Sequence, residues 1–158
     1  MDELYLPLKT LHILSATILF GTGLGTAAQM WLAHRRGDAA AIATVAGNVV
    51  LADWLFTAPA GLLQPLTGLG LAHLAHWPLL APWLIATYAL YAAAFLCWAP
   101  VVVLQMRARD LAVEAARRGE PLPEAYYRCM RAWVALGWPA FLALIAVFAL
   151  MVAKPELW

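Results

Sequence analysis

The positively charged residues of this chain are confined almost entirely to two short segments. Eight of the ten Lys and Arg residues lie at Arg35–Arg36 or between Arg107 and Arg131. Four long runs of mostly apolar residues fill the chain between and around these segments. The hydrocarbon layer of a bilayer is about 30 Å thick, so a spanning helix needs about 20 apolar residues. The pattern therefore predicts an all-α integral membrane protein that folds as a four-helix bundle.

The four spans are predicted at about 6–32, 40–73, 79–105 and 133–153, within a single transmembrane domain that covers residues 1–158. Pro59 and Pro65 are expected to kink or break the second span and so to turn its outer half towards protein. Residues 106–127 mix both charge signs and predict a helical extension, then a break at 119–123. The positive-inside rule places both arginine-bearing connections in the cytoplasm of a bacterium, with both termini on the periplasmic side of the inner membrane.

The composition excludes several classes of protein. With 65% hydrophobic and 12% charged residues among 158, the chain has too little polar surface to coat a soluble globule. A net charge of +1 gives no reason to expect nucleic acid as a partner. Cys97 and Cys129 form no Cys-x-x-Cys pattern, so neither a disulfide framework nor a zinc site is predicted. The bilayer is the expected partner, and both a homo-oligomer and a membrane electron-transfer partner remain open.

His12 is a candidate functional residue because it is ionisable and lies inside a predicted span. It is about six residues into the first span, roughly 9 Å deep at 1.5 Å per residue. One interpretation is a neutral imidazole that joins two helices by hydrogen bonds. The other is axial ligation of haem iron, which neutral imidazole performs well. Lys9 precedes His12 by one turn and either extends to the outer surface or pairs with a tetrapyrrole propionate.

The second span carries a polar face within an otherwise apolar sequence. Asp53, Thr57, Gln64 and either Thr67 or Gly68 recur at helical spacings, which predicts that they share one side of the helix. Gln64 and Thr67 should lie at the depth of His12. The sequence thus predicts a pocket between the first two helices, lined by Gln64, Thr67 and Gly68, with the glycine allowing a flat ligand to approach the backbone. The alternative is that these groups only hydrogen-bond between helices.

Asp53, His73 and His76 are candidates for other roles. Asp53 lies near the middle of the bilayer and is expected to be protonated or to pair with Asn48, a Tyr or backbone donors; it is the candidate for a proton relay. His73 and His76 are three residues apart in the predicted outer turn. Either could supply a second axial ligand or part of a weak metal site.

Residues 5–14, Tyr-Leu-Pro-Leu-Lys-Thr-Leu-His-Ile-Leu, resemble the first helix of the HemJ-type membrane proteins. The Leu/Ile-Lys-x-Leu-His-Ile opening of that family carries a functional histidine, and the family binds b-type haem. Residues 57–69, the pair Arg131 and Pro139, and residues 152–155 resemble further HemJ motifs in the same order. The resemblance implies the same helical fold and a haem site built on His12. HemJ proteins are implied to oxidise protoporphyrinogen. Here the third span has no His, and residues 137–139, Gly-Trp-Pro, lack the Glu of the HemJ motif, so that activity is not expected.

The whole chain resembles more closely a bacterial family of predicted integral membrane proteins, domain of unknown function 2269. This family is grouped with the HemJ-type and the CopD-type copper-resistance membrane domains. The motifs that carry the closer resemblance lie at residues 8–12, 53–54, 64–68, 97–100 with Gln105, and 137–138.

The sequence as a whole predicts a redox protein of HemJ-like fold that binds haem b or a related tetrapyrrole; whether it catalyses an oxidoreductase reaction stays open. His12 would be the axial ligand, Lys9 the propionate partner, and Gln64, Thr67 and Gly68 the pocket lining. The alternative is a non-catalytic membrane protein that handles a metal such as copper or assists complex assembly. A proton-coupled transporter using Asp53 is less favoured, because four short helices without repeats rarely build an alternating-access pathway.

Overall fold

The computed structural model describes residues 3–157, and the regular structure in that range is entirely helical. The elements in chain order are α1 (Tyr5–Arg36), α2 (Ala39–Ala52), a π-helical turn (Asp53–Thr57), α3 (Ala58–Leu74), α4 (Pro82–Arg118) and α5 (Glu124–Ala153). The second span, α2 through α3, is one uninterrupted helix of 36 residues. The structure therefore has four helices long and apolar enough to cross a membrane. This confirms the predicted all-α, four-helix membrane fold.

Large apolar side chains point outwards on all four spans. Leu66 is 68% exposed and Leu96 is 72% exposed, and similar residues cover α1 and α5. Exposure on this scale exceeds what a soluble monomer carries, whereas lipid chains cover such surfaces at no cost. The outward faces of the bundle are therefore lipid-facing surfaces.

The link between the first two spans is short, and its two residues each pair with backbone groups at a helix end. Gly37 ends α1 in the left-handed conformation, with φ 73°, and its N–H reaches the carbonyls at the end of that helix. Asp38 then caps α2, accepting hydrogen bonds from the N–H groups of Ala40 at 3.2 Å and Ala41 at 3.3 Å. Two residues are thus enough to reverse the chain between the first two spans.

The helices are longer than the predicted spans at the arginine-bearing end. Helix α4 continues to Arg118, as the predicted extension requires, and α5 begins at Glu124 rather than near residue 133. The predictions followed only the apolar runs, whereas a buried apolar cluster holds these extensions. The buried cluster at this end consists of Met30, Ala33, Ile42, Ala46, Val49, Ala108, Ala112, Tyr126 and Met130. Alanines on α1, α2 and α4 let the backbones approach closely there.

Neither Pro59 nor Pro65 breaks the second span, contrary to one of the predicted outcomes. Pro65 lies inside α3. Pro59 is two residues after the π-helical turn, in which the Ala58 N–H reaches back five residues to the Asp53 carbonyl. A proline clashes with the carbonyl four residues before it, and the wider π turn relieves that crowding. The extra residue in the turn offsets the helix faces before and after it by about 100°.

Candidate functional site

A cluster of polar side chains joins α1 to α3 in the half of the bundle opposite the arginines. The Nδ1 atom of His12 lies 2.7 Å from the Thr67 hydroxyl oxygen. The Gln64 amide donates to the His12 backbone carbonyl at 2.9 Å and to the Ser15 hydroxyl at 2.5 Å. Thr67 and Ser15 are 4% and 2% exposed, whereas His12 and Gln64 are partly exposed. The structure thus brings His12, Gln64 and Thr67 together at one depth.

The hydrogen bonds of Thr67 determine which nitrogen of His12 carries the proton. The single hydroxyl proton of Thr67 is directed to the Leu63 carbonyl, 2.6 Å away and one helical turn back. The hydroxyl oxygen can therefore only accept from His12, so Nδ1 is the protonated nitrogen of the neutral ring. It follows that Nε2 presents a lone pair, the form in which imidazole binds a metal.

Gly68 provides the space in which the His12 ring sits. A Cβ atom at position 68 would lie 3.3 Å from Cε1 and 3.9 Å from Nδ1 of the imidazole. The group that approaches this backbone is therefore the ring of His12 itself, at a distance that leaves little room for a larger residue. Thr67 and Gly68, adjacent in sequence, together fix the position of the imidazole.

The remaining predicted site residues lie apart from this cluster. The exposed ammonium of Lys9 lies 5.7 Å from the centre of the Tyr5 ring. His73, in the last turn of α3, and His76, in the turn that follows, are both exposed. Within residues 3–157 no group of three or more His, Cys, Asp or Glu residues is placed to hold a metal ion.

Asp53 lies in a second polar cluster, which is buried and connects three spans. Its carboxylate accepts one hydrogen bond from the Thr57 hydroxyl at 2.8 Å and another from the Gln105 amide of α4. The Gln105 oxygen in turn accepts from the Trp133 indole N–H of α5 at 3.2 Å. Because the indole can only donate, it orients the Gln105 amide with its NH₂ group towards Asp53. Asp53, Thr57 and Gln105 are 6%, 5% and 2% exposed.

The partners of Asp53 differ from those expected from the sequence. The hydrogen-bond donors to Asp53 are Thr57 and Gln105, whereas Asn48, a Tyr or backbone groups were predicted. The prediction of a single polar face on the second span is also wrong, because the π turn divides that face. Asp53 bonds to α4, whereas Gln64 and Thr67 bond to α1. The role of Asp53 as a proton relay stays a prediction.

Sequence reasoning missed two contributors to these clusters, Ser15 and Gln105. Each is a polar residue within a long apolar run, and that was the available signal. It also missed a contact outside the clusters, where Nδ1 of His34 lies 3.1 Å from the hydroxyl of the fully buried Tyr126. That contact joins residues 92 positions apart, and no local pattern indicates it.

The Asp53 cluster predicts a large effect for Gln105→Leu. The substitution leaves Asp53 with its Thr57 bond alone, so one buried carboxylate oxygen and the Trp133 N–H lose their partner. The free energy of unfolding should therefore fall by about 1–3 kcal/mol. The measurement is reversible unfolding in detergent. Gln29→Leu is the matched control, because Gln29 is exposed on α1 and its substitution should change little. Equal effects of the two substitutions would contradict the buried network.

The His12 cluster predicts a fixed tautomer that depends on the Thr67 hydroxyl. Nitrogen NMR of ¹⁵N-histidine protein should show His12 with a protonated Nδ1 and an unprotonated Nε2. Thr67→Val should remove this preference and cost about 1 kcal/mol of stability, while Thr67→Ser should preserve both. A protonated Nε2 in the wild-type protein would overturn the assignment.

The comparisons with known proteins agree with the membrane fold. No curated protein and no solved structure matches the chain. Residues 6–155 match the family described as "Predicted integral membrane protein (DUF2269)". The match takes in all four spans and both polar clusters. The chain therefore belongs to the DUF2269 family of predicted integral membrane proteins.

Proposed function

We propose that this protein binds haem b or a related tetrapyrrole through His12 and acts as a membrane redox protein. The observation that carries the proposal is the state of the two imidazole nitrogens. Nδ1 is held by Thr67, whereas Nε2 has no hydrogen-bond partner among the residues that the structure describes. Every fully buried side-chain N or O atom in that part of the chain is paired, so the unpaired Nε2 is accessible from outside the chain.

The residues around His12 fit an axial ligand of haem iron. A metal-binding histidine ordinarily donates its second N–H to an oxygen that fixes the ring orientation, and Thr67 provides that oxygen here. The lack of a side chain at Gly68 lets the ring settle against α3. An accessible lone pair at membrane depth is also costly unless something binds it.

Lys9 would hold an anionic edge of the tetrapyrrole. It lies one turn from His12 towards the N-terminus of α1, is exposed, and forms no ion pair with any described residue. Its contact with the Tyr5 ring is long and weak enough to yield to a carboxylate. Bound haem would supply one-electron transfer, which requires a membrane electron-transfer partner.

The haem proposal is tested by absorption spectra of the purified full-length protein in mild detergent, oxidised and dithionite-reduced, before and after haem is added. The wild type should show a Soret band and sharp b-type α and β bands on reduction. His12→Ala should lose them because it removes the proposed iron ligand. His34→Ala is the matched control, since His34 lies at the other end of α1, and it should keep them.

Two outcomes would sink the proposal. One is a featureless spectrum of the wild type after haem is added. The other is an equal loss of pigment in both histidine variants, which would point to general unfolding. Either outcome would favour the alternative function, metal handling or complex assembly. The accessible Nε2 would then be interpreted as a contact for a partner chain.

The proposal includes the orientation of the protein in the bacterial inner membrane. The arginine-bearing ends of the helices lie in the cytoplasm, and both termini lie outside it. Alkaline phosphatase is active only outside the cytoplasm, so a fusion after Lys154 should be active and a fusion after Gly119 inactive. A fusion after Trp77, in the opposite turn, serves as the second outside marker. The reverse pattern would show that the topology is inverted.

A further inference from the structure

A groove of about 580 Å³ separates α4 from α5 at the arginine-bearing end of the bundle. Leu104, Arg107 and Leu111 line it from α4, and Arg128 and Cys129 line it from α5. The α4 residues are spaced by three and four positions, so they form one face of the helix. The groove therefore combines apolar walls with a guanidinium group on each side.

The two arginines of the groove differ from most of their neighbours in having no acidic partner. Arg109, Arg117, Arg118 and Arg131 each lie within 2.9 Å of a carboxylate oxygen. Arg107 and Arg128 are exposed, and neither forms an ion pair within the described residues. Asp110 also lines the groove, but its carboxylate is 2.7 Å from Arg109. The groove thus keeps an excess of positive charge.

The groove lies at the level where hydrocarbon gives way to lipid headgroups. The third apolar run ends near residue 105 and the fourth begins near residue 133. Leu104 therefore borders the hydrocarbon, whereas Arg107 and Arg128 stand just beyond it. Apolar walls at the hydrocarbon edge and positive charge above them match the two parts of a phospholipid.

We infer that this groove binds one anionic phospholipid, with the phosphate between Arg107 and Arg128 and an acyl chain along Leu104. Guanidinium groups bind phosphate oxygens in paired, charge-assisted hydrogen bonds, and basic pockets between spanning helices suit anionic headgroups. Free phosphate shares the headgroup chemistry but gains nothing from the apolar wall. The inference is independent of haem binding, because the groove and His12 lie at opposite ends of the bundle.

The inference is tested by lipid titration of the full-length protein in detergent, with native mass spectrometry to count bound lipid. Phosphatidylglycerol is the probe, phosphatidylcholine the zwitterionic comparison, and inorganic phosphate the headgroup-only comparison. Arg107→Gln with Arg128→Gln should weaken phosphatidylglycerol binding about thirtyfold, equivalent to about 2 kcal/mol for two arginines near an anionic lipid. Arg117→Gln with Arg118→Gln removes equal charge from the paired arginines of α4 and should leave binding unchanged.

Leu104→Trp provides a second test that keeps both arginines. The larger side chain should fill the apolar end of the groove and weaken phosphatidylglycerol without changing any weak binding of inorganic phosphate. The inference is overturned if the two double variants lose lipid equally, if phosphatidylcholine binds as well as phosphatidylglycerol, or if inorganic phosphate competes at concentrations equal to those of the lipid.

Discussion

The structure depends on one constraint: a polar group inside the hydrocarbon layer must find its partner within the protein. Water is absent there, so the backbone is paired within four long helices. The same constraint acts on the side chains within the spans. Asp53, Gln105 and Trp133 satisfy one another across three helices, and His12 and Thr67 do so between two. These bonds determine which faces of the spans turn inwards, because apolar surface alone gives no such preference in lipid.

The π-helical turn at Asp53–Thr57 lets one helix serve both clusters. Without it, the polar residues of the second span would all face the same neighbour. The added residue rotates the later part of the helix, so Asp53 is bonded to α4, whereas Gln64 is bonded to α1. Pro59 stabilises this arrangement indirectly, because its ring disfavours a regular α-helical turn just before it.

The two clusters differ in a way that bears on function. Both carboxylate oxygens of Asp53 are occupied by donors, and the nearby indole fixes the amide that provides one of them. That cluster is closed and connects three spans. The cluster around His12 is closed on the Nδ1 side and open on the Nε2 side. A network in which every group is paired stabilises the bundle, whereas an accessible lone pair can still bind a ligand. The proposed function therefore rests on His12.

The sequence by itself determined the four spans, the all-α fold and the polar residues of the second helix, because bilayer thickness and helical periodicity leave a direct pattern along the chain. It also indicated that Gln64 and Thr67 lie at the depth of His12. Tertiary structure alone decided which partner each polar group takes. The π turn, the Gln105–Trp133 bridge and the contact of His34 with Tyr126 depend on packing between distant segments. The same packing extends α4 and α5 past their apolar runs and opens the groove between them.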